Sequence, residues 1–339
     1  MTYGADAARY DVMDYRQCGR SGLRLPAISL GLWQNFGAGD DEHSALDILR
    51  YAFDNGITHF DLANNYGPPP GAAEELMGCL LARDFRPYRD EIVIATKAGW
   101  RMGPGPYGDG GSRKYLIASC DQSLKRLGLD YVDIFYHHRY DHATPLEESM
   151  GALADLHRQG KALYVGISSY PEDDTRKAHA VLRQMGVPLL AHQPSYSILN
   201  RWIEDDGTIE ACGELGVGVI AFSPLAQGVL SGKYAHGRAG GRAAGPDSTI
   251  RPRALAPAVL QAVEALGAVA RARGQTPVQL ALSWVLRRPE VTSALIGART
   301  LEQLKDCLGA VGAAPLGADE LGEIDAAAAG GMLNSPPNW

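Results

Sequence analysis

The sequence predicts an α/β protein in which eight strand and helix units close into one (β/α)8 barrel, or TIM barrel, with an N-terminal capping hairpin. Three observations support this fold class. Eight short apolar runs alternate with longer amphipathic segments, as expected when helical crossovers join parallel strands. The 339 residues suit one large barrel, and no change in composition marks a linker within them. A doubly wound open sheet is the alternative, because periodicity alone separates the two architectures poorly.

The predicted strands are nearly all apolar, as parallel strands buried on both faces require. They span residues 27–31, 57–60, 91–96, 131–136, 162–167, 188–192, 217–222 and 291–296. Helices are predicted between them, at residues 42–55, 73–83, 112–127, 145–159, 172–185, 203–215, 256–273 and 276–287. Several of these segments begin at Asp, Ser or Pro and stop before a glycine, which is typical of helix ends.

The other segments complete the predicted organisation. Residues 1–14 form an N-terminal tail, and residues 15–339 form a single barrel domain. Residues 15–26 are expected to form a hairpin that turns at residues 20–22 and covers the bottom of the barrel. Residues 237–253 are rich in Gly, Ala and Arg, so we expect a mobile loop between the seventh and eighth strands.

The composition excludes several classes of function. Hydrophobic residues make up 45% and charged residues 21% of the chain, the balance of an ordinary soluble globular protein. The net charge of -7 gives no reason to expect nucleic acid or an anionic membrane surface as a partner. The five cysteines are scattered without a C-x-x-C pair, which favours reduced thiols over a zinc or redox site. Since the sequence has neither a signal segment nor a run of about 18 apolar residues, we expect a cytoplasmic protein.

Polar residues follow the strands at the end where barrel enzymes carry their chemistry. In chain order they are Asp61, Asn64, Asn65 and Tyr66, then Lys97, then His137 and His138, then Ser168 and Ser169, then Gln193, and finally Ser223. A carboxylate, a phenol, an ammonium and an imidazole at one mouth form a set for proton transfer. Each of these residue types alone usually has a structural role, but their joint placement at successive strand ends favours a catalytic one.

The four groups suit the reduction of a carbonyl. A phenol with a pKa of about 10 is a poor acid near neutral pH, and a nearby ammonium lowers that pKa. We therefore expect Lys97 to lower the pKa of Tyr66, and Asp61 to keep Lys97 charged and in place. His138 would orient the carbonyl oxygen while Tyr66 donates the proton and a hydride reaches the carbon. No metal site is expected, because the neighbours His137 and His138 point to opposite faces of a strand.

The stretch GITHFDLANNYG at residues 56–67 resembles the signature of the aldo-keto reductases. Further similarities are IATK at 94–97, LDYVDI at 129–134, VGISS at 165–169, HQPSY at 192–196 and AFSPLAQG at 221–228. The resemblance covers nearly the whole chain. It is greatest to the branch of the family that includes bacterial L-glyceraldehyde 3-phosphate reductases and the β-subunits of voltage-gated potassium channels.

This resemblance implies a catalytic tetrad of Asp61, Tyr66, Lys97 and His138, and a nicotinamide cofactor bound across the barrel mouth. The implied cofactor contacts include Asp61 of the tetrad. At the ribose they are Gly31, Leu32 and Trp33, and at the nicotinamide amide they are Ser168 and Gln193. At the pyrophosphate they are Ser223, Leu225, Gln227, Gly228 and Lys233, and at the adenosine they are Gly297, Arg299, Gln303 and Asp306. An aromatic residue at or near Tyr196 is implied to stack on the nicotinamide. NADPH is expected rather than NADH, since the Arg299 guanidinium could bind the additional ribose phosphate.

Two features depart from the family pattern. Relatives commonly have Glu-Asn where this chain has Asp306-Cys307, which leaves the usual adenine contact open. Residues 237–247 also differ, so that Arg238 and Arg242 are only candidates for the arginine contact to the cofactor.

A G-x-G-x-x-G pattern at residues 103–108 matches the dinucleotide fingerprint, but we interpret it as an active-site loop. Two prolines remove N–H donors, and the next helix begins several residues later than the fingerprint requires. Nearby, Arg101, Arg113 and Lys114 are either contacts for a phosphorylated substrate or solvated surface charges.

The sequence thus predicts an NADPH-dependent reductase of small aldehydes such as methylglyoxal or glyceraldehyde 3-phosphate. Trp33 and Trp100 either pack against the barrel or form an aromatic wall for the substrate. The alternative is an NADPH-binding, redox-sensing interaction protein like the channel β-subunits, although those relatives carry Asn at the place of His138. The resemblance also implies a homo-oligomer, either a tetramer or an octamer.

Overall fold

The strands close into a barrel as the sequence predicts. The computed structural model of the chain describes residues 3–234, 250 and 252–334. Its strands are β1 (Tyr15–Gln17), β2 (Arg24–Pro26), β3 (Ile28–Gly31), β4 (His59–Asp61), β5 (Val93–Ala98), β6 (Val132–His137), β7 (Ala162–Ser168), β8 (Leu189–Gln193), β9 (Gly218–Phe222) and β10 (Val291–Ile296). Strands β3 to β10 pair in chain order and in parallel, and β10 also pairs with β3. The predicted (β/α)8 barrel is confirmed, and the open doubly wound sheet is wrong.

Helices surround the barrel and connect its strands. The described α-helices are α1 (Glu42–Asp54), α2 (Ala72–Leu80), α3 (Arg113–Leu127), α4 (Leu146–Arg158), α5 (Glu172–Gln184), α6 (Trp202–Asp205), α7 (Thr208–Leu215), α8 (Pro257–Ala272), α9 (Pro277–Val285), α10 (Leu301–Leu308) and α11 (Ala318–Ala328). The predicted helix at 203–215 is divided into α6 and α7, because Gly207 has a left-handed φ of 82°. The predicted helix at 73–83 becomes α2 followed by a wider π-helical turn, Leu81–Phe85.

The barrel interior is an apolar cluster separate from the layer between strands and helices. Ile134, Tyr136 and Leu295 belong to it and point inward from alternate positions of their strands. Gly166 leaves room for the ring of Tyr136, since a Cβ at this position would lie 2.4 Å from the ring. The interior is therefore a packed core rather than an open channel.

The hairpin formed by β1 and β2 covers the N-terminal end of the barrel. Cys18 and Leu25 are fully buried and belong to the interior cluster. The N–H of Arg20 donates to the carbonyl of Gly216 at 2.9 Å, which ties the turn of the hairpin to the residues before β9. The predicted cap is confirmed, so chemistry that needs access to solvent belongs at the opposite end.

The described part of the N-terminal tail packs on the barrel. The hydroxyl of Tyr3 donates to Asp54 at 2.7 Å, and the N–H of Ala5 donates to the hydroxyl of Tyr88 at 2.9 Å. The guanidinium of Arg9 lies 5.2 Å from the ring centre of Phe53. These contacts attach the tail to α1 and to the residues before β5.

The loop between the seventh and eighth barrel strands and the possibility of a membrane-spanning helix remain to be considered. The predicted loop at residues 237–253 lies almost wholly outside the described residues, as do Arg238 and Arg242. Among the helices of the described residues, none combines the length and the apolar character that a membrane crossing requires.

Candidate active site

The four side chains of the predicted tetrad lie together at the C-terminal mouth of the barrel. Asp61 ends β4, Lys97 is the next-to-last residue of β5, and His138 directly follows β6. Hydrogen bonding continues beyond the strands, because the N–H of Asn64 donates to the carbonyl of Lys97 at 2.9 Å. This bond holds the segment that carries Tyr66 beside Lys97.

Lys97 is the centre of the site. It is completely buried, and its Nζ donates to the Asp61 carboxylate, to the Leu62 carbonyl at 2.6 Å and to the Tyr66 hydroxyl oxygen at 3.3 Å. An ammonium has three N–H donors, so each of them has an acceptor. The position of the positive charge relative to the phenol is therefore fixed.

Asp61 compensates the buried charge of Lys97. Its Oδ2 accepts from Lys97, and its Oδ1 accepts from Nε2 of Gln193 at 2.9 Å. Burial by itself would lower the pKa of Lys97, but attraction to Asp61 and then to Tyr66 outweighs it and raises that pKa above its usual value. Lys97 is therefore protonated near neutral pH, as the sequence predicts.

The pKa of Tyr66 is set by two opposing effects. Burial raises the pKa of this phenol above its usual 10.0, and the neighbouring Lys97 offsets only part of the rise. Lys97 lowers the pKa of the phenol as expected, but the loss of water around the hydroxyl has the larger effect. The hydroxyl is consequently protonated near neutral pH, which is the state that a proton donor requires.

His138 faces the phenol across the mouth. The ring centres of His138 and Tyr66 lie 5.8 Å apart, with the rings nearly perpendicular. Burial, followed by the charge of Lys97, holds the pKa of His138 well below its usual range. Its Nδ1 is buried and has no hydrogen-bond partner among the described residues. A neutral imidazole can donate a hydrogen bond to a carbonyl oxygen without adding a second positive charge.

His137 points away from the mouth. Its Nδ1 forms a hydrogen bond with the hydroxyl of Tyr170 at 2.5 Å, on the outer side of the barrel. The adjacent residues His137 and His138 thus face opposite sides of the barrel wall, as predicted. Within residues 3–234, 250 and 252–334, no group of three or more His, Cys, Asp or Glu side chains is placed to hold a metal ion.

Two tryptophans flank the reacting groups. The ring centre of Trp33 lies 6.4 Å from that of Tyr66, and the ring centre of Trp100 lies 6.3 Å from that of His138. The guanidinium of Arg139 lies 4.6 Å from the ring centre of Trp100 and supports it from behind. Both indoles therefore border the space above the tetrad, where a small substrate would lie.

The predicted cofactor contacts follow the rim of the same mouth. They are Gly31 at the end of β3 with Leu32 and Trp33 after it, Ser168 at the end of β7, Gln193 at the end of β8, Ser223, Leu225, Gln227, Gly228 and Lys233 after β9, and Gly297 and Arg299 after β10. The hydroxyl of Ser168 donates to the carbonyl of Gln193 at 2.8 Å, which leaves its oxygen able to accept a hydrogen bond.

The turn after β9 has an unusual backbone. Ser223, Ala226 and Gln227 have φ values of 54°, 47° and 58°, a region that residues other than glycine rarely adopt. At Gly228 a Cβ would lie 3.0 Å from Nζ of Lys233, so the ammonium rests against the turn. Backbone of this kind concentrates at ligand sites, and here the ammonium of Lys233 lies beside the main chain of the turn.

The residues predicted to contact the adenosine differ in whether their side chains are already hydrogen-bonded within the protein. The N–H of Arg299 donates to Oε1 of Gln303 at 2.8 Å, and both residues are exposed at the start of α10. In contrast, Oδ1 of Asp306 accepts from the hydroxyl of Thr276 at 2.7 Å and from Nε2 of Gln279 at 3.2 Å. Its carboxylate thus supports the beginning of α9, and a contact with adenosine stays a prediction.

Tyr196, the aromatic residue implied to stack on the nicotinamide, does not lie at the mouth, and the sequence reasoning missed Phe222, which does. Tyr196 is fully buried in the outer layer, where its hydroxyl accepts from Arg287 at 2.9 Å, so it does not face the mouth. Phe222, the last residue of β9, packs on the interior cluster and is partly exposed. Alternation along β9, with Ile220 facing inward two residues earlier, is the signal that identifies it.

The G-x-G-x-x-G pattern forms a loop rather than a strand-to-helix turn. The N–H of Met102 donates to the carbonyl of Gly108 at 2.8 Å, and α3 begins only after its N-cap, Ser112. Further along, the N–H of Gly111 donates to Asp141 at 2.7 Å. The interpretation of this segment as a loop and not as a dinucleotide fingerprint is confirmed.

The barrel and its mouth match a known enzyme family. The profile of the aldo/keto reductase family matches residues 27–329, and the chain belongs to that family. It is 54% identical over 342 aligned positions to L-glyceraldehyde 3-phosphate reductase of Escherichia coli (strain K12), with 98% of each chain covered. It is 36% identical to a probable voltage-gated potassium channel subunit beta of Arabidopsis thaliana, covering 90% of this chain and 93% of that one. A subunit of the same name from Oryza sativa subsp. japonica is 35% identical.

The low pKa of His138 leads to a first prediction. An NMR titration from about pH 8 to about pH 5, with the resonance assigned by comparison with His138→Gln, should show no midpoint near the reference value of about 6.5. Burial and Lys97 both disfavour the imidazolium, so the ring stays neutral over this range. A midpoint close to the reference value would contradict the buried, neutral state.

Proposed function

We propose that the protein reduces small aldehydes to alcohols with NADPH, and that Tyr66 donates the proton. The observation that carries this proposal is the contact of one buried ammonium, Lys97, with both the Asp61 carboxylate and the Tyr66 phenol. Such an arrangement has little purpose in a structural core, where apolar residues pack more stably than a buried ion pair. It suits a site in which a phenol must give up its proton.

Each of the four groups has a separate task in the proposed reaction. His138 donates a hydrogen bond to the carbonyl oxygen and so directs the aldehyde toward the phenol. Tyr66 transfers its proton to that oxygen, and Lys97 stabilises the phenolate that results. Asp61 keeps Lys97 protonated and immobile throughout. When bound, the nicotinamide supplies the hydride for the carbonyl carbon.

The rim of the mouth fits a nicotinamide dinucleotide. The partly exposed ring of Phe222 offers a surface for the nicotinamide, and Ser168 and Gln193 offer polar atoms for its amide. Lys233 and Arg299 are exposed cations on the far part of the rim, in positions that suit phosphate groups. Arg299 at the adenosine end is the reason to propose NADPH rather than NADH.

The substrate class is proposed from the relatives and from the mouth together. The E. coli relative is named for glyceraldehyde 3-phosphate, and methylglyoxal is a second small aldehyde that the space between the two tryptophans would admit. Arg101 follows Trp100, and its side chain is 71% exposed, with the nearest carboxylate oxygen, on Asp109, at 3.9 Å. It is therefore the cation that we assign to the phosphate of such a substrate.

The alternative remains a protein that binds NADPH and acts mainly as a partner of another protein. The similarity to the channel subunits of the two plants is the observation in its favour. The complete tetrad supports the reductase instead. A tetrameric or octameric assembly and the division into a tail and a single barrel domain stay predictions.

Replacing Tyr66 tests the proton donor. In Tyr66→Phe, the kcat for aldehyde reduction should fall about 100-fold or more, because general acid catalysis typically contributes a factor of this size. The Kd for NADPH should change less than about twofold, since the hydroxyl is not needed to hold the cofactor. Tyr10→Phe, at a tyrosine of the N-terminal tail that is 40% exposed, is the matched control and should leave kcat unchanged. Full activity of Tyr66→Phe would exclude Tyr66 as the donor.

Replacing Arg101 tests the assignment of the phosphate. Arg101→Gln should raise the KM for glyceraldehyde 3-phosphate about tenfold, the size expected for one charge-assisted hydrogen bond, and leave the KM for methylglyoxal within about twofold. Arg113→Gln removes the same charge from a residue that pairs with Asp155, and should change neither value. Equal effects of Arg101→Gln on both substrates would show that Arg101 does not recognise the phosphate.

A further inference from the structure

A buried carboxylate outside the tetrad connects the segments that carry Tyr66 and Lys97. Glu74 on α2 is completely buried, although glutamate is rarely buried in full without a partner. Its Oε1 accepts from the hydroxyl of Thr96, and its Oε2 accepts from Nε of Arg126 at 2.7 Å. The three side chains form a network between α2, β5 and α3.

Thr96 attaches this network to the strand of Lys97. The two residues are neighbours on β5, and successive residues of a strand point to opposite faces. Thr96 points outward to Glu74, while Lys97 points inward to Asp61. A bond that holds Thr96 in place therefore also fixes the position of Lys97 along the barrel axis and the direction of its side chain.

Glu74 attaches the network to the segment of Tyr66. The carbonyl of Tyr66 accepts from the N–H of Gly71 at 3.0 Å and from the N–H of Ala73 at 3.3 Å. The backbone of Tyr66 is thus bonded to the first turn of α2, the same turn that carries Glu74. A movement of α2 relative to β5 would carry Tyr66 away from Lys97.

The packing of α2 on α3 leaves the network little freedom. A Cβ at Gly78 would lie 2.2 Å from the carbonyl oxygen of Arg126, and a Cβ at Gly71 would lie 3.1 Å from Cδ of the same arginine. Both glycines allow α2 to approach α3 closely. Arg126 is consequently held against Glu74 from two sides.

We propose that Glu74 and Thr96 are positioning residues that set the distance between Nζ of Lys97 and the hydroxyl of Tyr66. The inference rests on the proposed role of Tyr66 as proton donor. The distance is 3.3 Å, beyond the usual length of such a hydrogen bond, so a small movement would break the contact. Neither positioning residue needs to touch the substrate or the cofactor.

The expected signature is a change in the pH dependence of reduction. The charged and titratable groups that face Tyr66 are Lys97, Asp61 and His138. Lys97 lowers the pKa of the phenol, so a longer distance to Lys97 raises that pKa. Reduction requires the protonated phenol, and its rate falls as the pH passes through this pKa. Loosening the network should therefore shift the alkaline loss of activity to higher pH.

The experiment compares variants of the hydroxyl at position 96 in the full-length enzyme with bound NADPH. Thr96→Val should lower kcat about tenfold, because small displacements of reacting groups are costly, and should shift the alkaline limb upward by about half a pH unit. Thr96→Ser keeps the hydroxyl and should restore both values. Thr292→Val removes a threonine hydroxyl that is equally buried, near the capped end of the barrel, and should move neither.

The outcomes separate this inference from the proposed function. If Thr96→Val lowers kcat or stability but leaves the alkaline limb of the pH profile unmoved, the positioning role is wrong. Glu74→Gln is a second variant, and it should also shift the alkaline limb to higher pH. If the alkaline limb of the wild type persists in Tyr66→Phe, the proposed donor is wrong and the inference is lost with it. A shift in Thr96→Val that Thr96→Ser reverses supports the inference.

Discussion

A protonated lysine inside a closed barrel is stable only when its surroundings replace the water that it has lost, and the site depends on how this is achieved. Desolvation of an ammonium costs several kcal/mol, which Asp61 offsets with a full negative charge at hydrogen-bond distance. Gln193 fixes the other oxygen of Asp61, and the Leu62 carbonyl accepts a second proton of Lys97. The third proton of Lys97 is directed at Tyr66, so the stability of the ion pair and the chemistry of the phenol are coupled.

The barrel brings these groups together and also sets their protonation states. Parallel strands end at the same edge, which is why residues that are distant in sequence meet at one mouth. The packed interior below, with Tyr136 and the capping hairpin, excludes water from the base of the site. The same burial raises the pKa of Tyr66 and lowers that of His138. One cause thus leaves the proton donor protonated and the orienting imidazole neutral.

The sequence predicted most of the fold and the members of the tetrad, because both depend on local patterns. Apolar periodicity identified the strands, and the residues after each strand could be placed at the mouth without knowledge of packing. The failures involve tertiary surroundings. Tyr196 follows β8 and Phe222 ends β9, so that the sequence alone does not decide which of the two aromatic rings lies at the mouth. Only the direction of each side chain distinguishes them. The net pKa of Tyr66 depends on the desolvation of its hydroxyl, which no local pattern reports. The contacts of Asp306 with α9 bring together residues about 30 positions apart.

Membership of the aldo/keto reductase family makes a reductase the expected activity, and the geometry explains how this chain would perform it. The central claim is that Lys97 acts through Tyr66. A double-mutant cycle on kcat/KM for aldehyde reduction, with Lys97→Met, Tyr66→Phe and the combined variant, tests it directly. If the claim is correct, the combined variant is within about threefold of Tyr66→Phe alone, because Lys97 has no phenol left to act on. If the two losses multiply instead, Lys97 contributes independently of Tyr66, and the account is contradicted.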